Sequence, residues 1–463
     1  MMSIKTLAFI INIIYITFIS CSYLSKSIDR RIINNNINVT NTTELTELKI
    51  SRSDSLNERK SYTSSKKKNF ASLNLQKDIE YIGNIYIGTP RKKMTVSFDT
   101  ALNVSWLPYI ECENCKLNTE RYSPYSSRSE KYLYEIKNIS KPYTSGFVEG
   151  FVYKETISIN YEGKSFFGYP LYRLTSDYFK FVSVYNEVNL EERISDGVIG
   201  LGINNEKDYY YSIIRISNEI NYPSFSFYIL ENKNIYRLYF GDILCNYYVY
   251  NLFENHIQEC QVKQDALYWE CNPSSGVKLI SSNKTYNDTI FQTNSSVIFD
   301  SGISNTIIPN NDFMKIFNFL SLGHNCTIDI NGQILCKCLN KDEFGRMELN
   351  FDDYNKFMIF FNNNIEYNIN NGFQCLFKIK KGILNDTWIL GESVFKGNLI
   401  NFSMKDRKIS FVQNITQIIQ NNKIKKSHWF SKTMSFLKYL LLIIAISVVI
   451  IIIIIIFVIY ITS

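Results

Sequence analysis

The chain contains the same short pattern twice, in Val96–Pro108 and in Val297–Pro309, and this duplication limits the folds that it can adopt. In each copy an apolar run ends in phenylalanine and aspartate, and a hydroxyl residue and then a small residue follow. An aspartate between an apolar β-type run and a short polar stretch is costly to bury unless it has partners. The two copies therefore indicate a duplicated unit that brings the carboxylates of Asp99 and Asp300 together.

A second repeated element follows each aspartate motif. Asp196–Gly202 comes after the first copy and Trp388–Glu392 after the second, and both contain an apolar pair that ends in glycine. Such a pair predicts a short strand that ends in glycine because another backbone segment approaches it closely. A residue with a Cβ would collide with that segment. Each half of the chain is therefore predicted to hold an aspartate loop beside a strand that ends in Gly200 or Gly391.

The chain resembles the pepsin-like aspartic peptidases, as a plasmepsin-like, membrane-anchored member, because both aspartate motifs are forms of the family's Asp-Thr-Gly or Asp-Ser-Gly sequence. Three further stretches match in order: Tyr81–Pro90 resembles the mature N-terminus, Trp106–Pro108 a tryptophan segment, and Tyr143–Gly146 the flap. The matching motifs lie within residues 78–413. The resemblance implies an all-β fold with few short helices, in which a duplicated β unit forms two lobes around an active-site cleft.

The resemblance also gives each matching residue a role. Asp99 and Asp300 are implied to be the catalytic dyad. Thr100 and Ser301 match the hydroxyl residues that bond across the lobe interface and support the dyad, and Gly302 would offer backbone groups to the substrate. The implied flap and substrate-binding residues are Tyr143, Thr144, Ser145, Gly146, Trp106 and Ser304. Trp106 is implied to hydrogen-bond the hydroxyl of Tyr143.

Two adjacent carboxylates can hydrolyse a peptide bond without a covalent intermediate. Like charges so close cannot both ionise, so one carboxyl keeps a proton while the other, as a base, activates a water molecule held between them. The resemblance therefore implies an aspartic endopeptidase that acts on proteins or peptides and uses no cofactor and no metal. His256, His324 and His428 are scattered and belong to no motif for Ser-His-Asp or zinc chemistry.

Three residues depart from the family pattern beside the predicted dyad. Ala101 stands where the family has glycine, so we expect a methyl beside the substrate path and strain in the loop. Leu102 and Ile303 stand where the family usually has hydroxyl residues that bond the outer carboxylate oxygens. Two alternatives therefore stand beside an active enzyme: a catalytically weak or dead pepsin-like protein that binds peptides or partners in the cleft, and a β-rich adhesive ectodomain.

The two ends of the chain are predicted to lie outside the lobes. Residues 1–22 combine Lys5, an apolar run and small residues, the pattern of a secretory signal peptide. Residues 439–461 are apolar and uncharged over a length that crosses a bilayer. The predicted organisation is 1–22 signal peptide, 23–77 propeptide or disordered linker, 78–242 N-terminal lobe, 243–415 C-terminal lobe, 416–438 basic juxtamembrane linker, and 439–461 transmembrane helix or GPI-signal tail.

Composition and charge narrow the function classes further. The formal net charge of +7 is mild for 463 residues, and several basic residues lie near the two ends, which excludes nucleic acid as the partner. The segment 23–77 is polar and has no sustained core pattern, so it is either a disordered linker or, as the resemblance implies, a basic propeptide across an acidic cleft. We expect a monomer in the secretory pathway, membrane-anchored, with its catalytic domain lumenal or extracellular.

Ten cysteines behind a signal peptide predict disulfides. Cys21 lies at the predicted cleavage site, which leaves an odd number. Cys112 and Cys115 have metal-ligand spacing but no matching second pair, and a small disulfide loop, as the family commonly has, is favoured. The resemblance implies that Cys375 pairs with Cys336 or Cys338, and we favour Cys338.

Elsewhere, alternating apolar runs predict strands, and residues 311–320 carry the best helical signal.

Overall fold

The computed structural model describes most of the chain between Phe70 and Gln420. The described residues are 70–72, 74–76, 80–141, 144, 146–164, 170–190, 193–203, 224–231, 234–241, 243–245, 247–282, 287–368 and 374–420. The chain divides into two compact units, residues 1–413 and residues 414–463. In the second unit the described residues include a short helical stretch at 415–420.

Strands make up most of the regular structure. They are β1 (Phe70–Ser72), β2 (Asn74–Gln76), β3 (Glu80–Ile87), β4 (Lys92–Asp99), β5 (Trp106–Pro108), β6 (Lys131–Ser140), β7 (Phe147–Lys164), β8 (Pro170–Val188), β9 (Gly197–Gly200), β10 (Ser224–Leu230), β11 (Ile235–Phe240), β12 (Gln258–Gln261), β13 (Glu270–Cys271), β14 (Val277–Ile280), β15 (Thr289–Phe291), β16 (Ser296–Phe299), β17 (Thr306–Ile308), β18 (Cys326–Ile328), β19 (Gln333–Lys337), β20 (Arg346–Asn350), β21 (Lys356–Phe360), β22 (Ile365–Asn368), β23 (Gln374–Lys381), β24 (Thr387–Leu390), β25 (Leu399–Ser403) and β26 (Lys408–Val412).

The helices among the described residues of the first unit are short. The α-helices there are α1 (Tyr247–Phe253) and α2 (Asn310–Ser321), and the 3₁₀ turns are Pro124–Ser126, Ile243–Cys245, Glu254–His256, Lys341–Phe344, Phe361–Asn364 and Glu392–Phe395. Helix α2 contains the predicted helical stretch, and it buries Phe313, Ile316 and Leu320, which recur at the spacing of one helical face. Helix α1 was not predicted: Asn246 before it is a residue type preferred at helix N-caps, but the seven residues of the helix are too few for a clear helical period.

The first half of the chain forms an eight-stranded sheet in the order β2-β3-β4-β9-β5-β8-β7-β6. Residues Val96 to Asp99 of β4 are all buried, including the polar Ser97 and Asp99, so both faces of this end of the strand are covered. Strand β4 runs parallel to β9, with Asp99 opposite Gly200, and β5 pairs antiparallel with the same β9. The first aspartate loop therefore connects two strands that flank the glycine-ended strand.

The second half repeats this arrangement in a sheet of the order β13-β16-β24-β17-β23-β19-β18, to which β22 adds by pairing with β23. Strand β16 runs parallel to β24, with Phe299 opposite Leu390, and β17 pairs antiparallel with β24. A four-stranded sheet, β15-β14-β20-β21, accompanies it. A Cβ added at Gly200 would lie 2.6 Å from the carbonyl oxygen of Leu102, and one at Gly391 2.6 Å from that of Asn305. The predicted close approach is confirmed in both halves.

A six-stranded sheet in the order β1-β11-β10-β25-β26-β12 takes strands from both halves of the chain. Ser226 of β10 lies opposite Asn401 of β25 and donates its hydroxyl to the Asn401 side chain at 2.7 Å. Aromatic rings pack beside this sheet: Phe225 stacks on Phe402 with centroids 4.8 Å apart, and Trp269 meets Phe402 at 5.2 Å. The predicted bilobal, all-β fold is confirmed, and this sheet joins its two lobes.

Some sequence predictions concern the ends of the chain. Strands β1 and β2 lie inside the segment 23–77, so part of the predicted propeptide or linker forms strands of the fold. The predicted signal peptide and the apolar segment 439–461 lie outside the described residues. Among the residues that the structure describes, no helix is both long and apolar enough to cross a membrane.

Four disulfides bridge the described part of the chain, namely Cys112–Cys115, Cys260–Cys271, Cys326–Cys336 and Cys338–Cys375. The first closes the small loop that was predicted after Trp106. In the second lobe Cys375 pairs with Cys338, and Cys336 pairs with Cys326 across β18 and β19. Bridges in this number are typical of proteins that fold in an oxidising compartment.

Candidate active site

The two aspartate loops meet and are tied together by their hydroxyl residues. The backbone N–H of Thr100 donates to Ser301 Oγ at 3.1 Å, and the N–H of Ser301 donates to Thr100 Oγ1 at 3.0 Å. Each hydroxyl then donates across the interface at 2.6 Å, Thr100 to the carbonyl of Phe299 and Ser301 to that of Phe98. All four bonds are buried, so together they fix one loop against the other and satisfy the polar groups involved.

The carboxylates of Asp99 and Asp300 lie where these loops meet. Asp99 is 4% exposed and Asp300 is 0% exposed. One oxygen of each accepts a backbone N–H from two residues further on, from Ala101 to Asp99 Oδ1 and from Gly302 to Asp300 Oδ1, both at 2.8 Å. These matching bonds orient the two carboxylates alike within their loops.

A lysine outside the aspartate motifs links the two carboxylates. Lys141 follows the end of β6, and its Nζ lies 2.8 Å from Asp99 Oδ2 and 2.9 Å and 3.0 Å from Asp300 Oδ2 and Oδ1. The Lys141 residue is only 8% exposed. Its backbone carbonyl accepts the N–H of Thr144 at 3.2 Å, which places this lysine at the base of the predicted flap.

Burial and charge set the pKa values at this cluster. Burial has the largest effect on Asp99; with Lys141 opposing it and Asp300 adding to it, the pKa of Asp99 is raised to about 6. Burial lowers the pKa of Lys141, but the charges of Asp300 and Asp99 outweigh it and raise that pKa above its ordinary value. Lys141 is therefore a cation at neutral pH, and Asp99 takes up a proton as the pH falls through about 6.

Tyr268 faces the same cluster from the C-terminal lobe. Its side chain is half-buried, and burial raises its pKa. The charges of Lys141, Asp300 and Asp99 act on it as well. Its ring packs beside the buried residues Ala101, Ile298 and Ile389.

A cavity of about 460 Å³ opens beside the Asp99 carboxylate. Asp99 and Lys141 lie in its wall, together with the predicted flap residues Thr144 and Gly146 and with Trp106. Asp300 is not among its lining residues, but Gly302 and Ile303 of the second aspartate loop are, so both aspartate loops contribute to the cavity.

Two further charged residues line this cavity, and both have partners. The Glu80 carboxylate accepts backbone N–H groups, with Ser195 the nearer donor at 3.1 Å. The Arg193 guanidinium donates to the carboxylate of Glu187 at 2.8 Å and 3.0 Å and lies 4.9 Å from the ring centroid of Trp106. One side of the cavity is therefore charged, although most of these charges are already balanced.

Two of the departures from the family pattern pack as apolar side chains. Leu102 and Ile303 line the cavity near Asp99, where each offers alkyl carbon and no hydrogen-bond donor. Leu102 packs against the cluster around Trp106, and Ile303 packs against the cluster around Ile298. The expected loss of side-chain hydroxyls beside the carboxylates is thus matched by apolar packing on both sides.

The third departure, Ala101, has an effect that differs from the one expected. Ala101 is not among the residues with a positive φ, so the expected strain is wrong: its backbone is outside the region that favours glycine. Its side chain is 4% exposed and packs with Ile298 and Ile389. At the matching position in the other loop, a Cβ on Gly302 would lie 2.2 Å from Asp99 Oδ2. Glycine is therefore required in one loop and replaceable in the other.

The remaining predicted site residues are only partly described. Tyr143 and Ser145 lie outside the described residues, so their roles, and the bond between Tyr143 and Trp106, stay predictions. Ser304 is half-buried in the turn before β17. The sequence reasoning missed Lys141, and the available signal was its position two residues before Tyr143 in the predicted flap.

The described part of the chain contains no group of three or more His, Cys, Asp or Glu side chains that is placed to hold a metal ion. The two carboxylates have a lysine ammonium between them, which is a monovalent counter-ion.

Comparison with known proteins gives partial matches to several proteases and related proteins. The chain is 30% identical to plasmepsin IX of Plasmodium falciparum over 202 residues, which cover 42% of this chain and 30% of that protein. It is 37% identical to chymosin of Camelus dromedarius over 89 residues, 18% of this chain and 22% of that one. It is 30% identical to pregnancy-associated glycoprotein 2 of Sus scrofa over 170 residues, 34% of this chain and 36% of that one. The matches thus span about a third or less of each relative's length.

A family model covers far more of the chain than any of these relatives. The model described as eukaryotic aspartyl protease matches residues 80–414, a range that begins with β3 and extends past β26. It includes both aspartate loops, the hydroxyl residues that tie them together and the two glycine-ended strands. On this match and the duplicated fold, the chain belongs to the eukaryotic aspartyl protease family.

Proposed function

We propose that the protein is an aspartic endopeptidase that hydrolyses peptide bonds with Asp99 and Asp300 as the catalytic dyad. The observation that carries this proposal is the pair of buried carboxylates on loops tied by the reciprocal bonds of Thr100 and Ser301. A binding protein has no need to hold two like charges so close together, since burying them costs free energy.

Hydrolysis by this dyad needs one proton shared between two carboxyls. Asp99 has a pKa raised to about 6, which suits it to hold that proton. The Asp300 carboxylate then takes a proton from water as the water attacks the scissile carbonyl, and the Asp99 proton goes to the carbonyl oxygen. When the tetrahedral intermediate breaks down, the Asp300 carboxyl gives its proton to the departing amine, and the Asp99 carboxylate takes a proton from a hydroxyl of the intermediate, so the dyad ends as it began.

The substrate and location follow from the cleft and the ends of the chain. The apolar Leu102 and Ile303 in the cavity wall favour apolar residues beside the scissile bond. The apparent signal peptide and the four disulfides support a protein of the secretory pathway. The segment 439–461 is proposed to anchor it to the membrane, with the lobes lumenal or extracellular and the protein monomeric.

Turnover of a peptide library by the purified full chain tests this function. Asp99→Asn and Asp300→Asn each remove one ionisable partner at nearly constant shape, and we expect both to abolish hydrolysis. Asp353→Asn, at an exposed aspartate in the C-terminal lobe, is the matched control and should cleave like the wild type. Cleavage that persists in both dyad variants would contradict a dyad mechanism.

A second function, binding of peptides in the cleft without turnover, has one observation in its favour. Lys141 lies between the two carboxylates, where a catalytic water is needed. Binding of a statine-type peptide together with no cleavage at any pH between 3 and 8 would select this function. Cleavage of any library peptide, lost in Asp300→Asn, would select the enzyme.

A further inference from the structure

We propose that Lys141 is a built-in cap of the dyad: its ammonium occupies the place of the attacking water and must be displaced before substrate is cleaved. This inference rests on the proposed function, because a cap has meaning only for a dyad that binds water and substrate. It names a regulating residue that belongs to the lobe itself and is part of the predicted flap.

The first argument is the position of the ammonium. A water that bridges two carboxylates must lie within about 3 Å of an oxygen on each. The Lys141 Nζ meets that condition, at 2.8 Å from Asp99 and 2.9 Å from Asp300. Two heavy atoms cannot share this position, so a bridging water and the Lys141 ammonium exclude each other.

The second argument is charge. A dyad ready for hydrolysis carries one negative charge because its two carboxyls share one proton. With Lys141 in place, the positive charge of the ammonium, instead of a shared proton, offsets the repulsion between the two carboxylates. The pKa of Lys141 is itself raised by these two charges, so the ammonium keeps its proton. Above the Asp99 pKa of about 6, neither carboxyl then holds the proton that the departing amine requires, so the capped dyad lacks its acid as well as its water.

The third argument is that the cavity contains a second acceptor for the Lys141 ammonium. It lies at the flap base, where its carbonyl accepts the N–H of Thr144, so movement of the flap moves Lys141 with it. Its flexible alkyl stem borders the same cavity as the Glu80 carboxylate. Among the described residues, the Glu80 carboxylate accepts the backbone N–H groups of Ile194 and Ser195, which leaves acceptor capacity on its oxygens for a displaced ammonium.

Within the part of the chain that the structure describes, the charged and titratable groups around Lys141 are few. Asp99 and Asp300 hold it from the two loops, Tyr268 faces it from the C-terminal lobe, and Glu80 and Arg193 share its cavity. Arg193 is already paired with Glu187, so Glu80 is the acidic side chain of this cavity that could receive the displaced ammonium.

The test compares Lys141→Met and Lys141→Gln with the wild-type full chain. Both variants remove the ammonium, and Lys131→Met, at an exposed lysine of the same β6, is the matched control. Affinity for a statine-type peptide, whose hydroxyl takes the place of the bridging water, is measured by titration calorimetry at pH 5 and pH 7. Thermal melting verifies that each variant is folded, and the glutamine variant serves if methionine disturbs folding.

We expect both Lys141 variants to bind the statine peptide at least roughly tenfold more tightly than the wild type, because no buried ion pair has to be broken. Lys131→Met should bind like the wild type. Equal or weaker binding by the folded Lys141 variants overturns the cap, whether or not the protein cleaves peptides. Tighter binding without any cleavage supports the cap and counts against the proposed enzyme, so the two proposals fail separately.

Cleavage by the same proteins gives a second readout. A cap predicts that kcat/KM of Lys141→Met rises above that of the wild type, with most of the change in KM. A fall in kcat with unchanged statine affinity would instead make Lys141 a residue that assists the reaction, and it would overturn the cap.

Discussion

The bonds between the two aspartate loops predict a large loss of stability from the removal of one oxygen atom. Thr100→Val keeps the shape of the side chain but removes the hydroxyl that donates to the carbonyl of Phe299 and accepts from the N–H of Ser301. Each buried group left without its partner costs about 1–3 kcal/mol. We therefore expect the free energy of unfolding to fall by about 3–4 kcal/mol, since two such groups are affected.

Urea denaturation followed by tryptophan fluorescence measures this change. Thr95→Val is the control, because its hydroxyl makes an exposed hydrogen bond of 3.3 Å to Asn84, and we expect a change within about 0.5 kcal/mol. Thr100→Val and Ser301→Ala remove different bonds of the same buried network, and the double variant should therefore depart from the sum of its singles. A loss below about 1 kcal/mol for Thr100→Val would refute the reasoning that the loops depend on these bonds.

Three further predictions concern the carboxylates. Gly302→Ala places a Cβ 2.2 Å from Asp99 Oδ2, so we expect loss of statine-peptide binding in titration calorimetry, whereas Ala101→Gly should bind as the wild type does. Leu102→Ser with Ile303→Thr restores hydrogen-bond donors to the charged carboxylates, which lowers their pKa values and should move the pH optimum of kcat/KM toward acid; an unmoved optimum contradicts this. The pKa of Asp99 is raised to about 6, so the folded state holds its proton more tightly than the unfolded state does. Relative to Asp99→Asn, the wild type's free energy of unfolding should therefore fall by up to about 3 kcal/mol between pH 4 and pH 7 in urea titrations, and a rise would contradict the sign.

The duplicated motifs predicted a duplicated unit that brings the two aspartate loops together, and the family resemblance predicted the all-β fold and the bonds of Thr100 and Ser301 across the interface. The duplicated unit could be predicted because a buried aspartate after an apolar strand needs specific neighbours, and Thr100 and Ser301 follow the aspartates directly in the sequence. The close approaches at Gly200 and Gly391 were predictable in the same way, because a glycine at the end of an apolar strand indicates a steric demand.

Lys141 could not be predicted from the same kind of pattern. The strand before it, β6, exposes most of its residues, and a lysine at its end is typical of a solvent-facing edge. Only the folding of that strand's end over the cleft brings the ammonium to two carboxylates that are far away in the sequence. The prediction that Ala101 strains its loop was wrong for a related reason. Its backbone conformation was inferred from the family glycine and not from its own φ.

The sheet that takes strands from both lobes has a consequence for synthesis on the ribosome. Strand β10 pairs with β25, and the partners Ser226 and Asn401 are 175 residues apart. At about 5–20 residues per second, β10 waits roughly 9–35 s for its neighbour to be made. During that time one edge of β10, which is buried along its whole length in the finished protein, has no strand beside it. The nascent N-terminal lobe is thus a substrate for chaperones, and a chain that stops before residue 399 is expected to aggregate, not to yield a stable half-molecule.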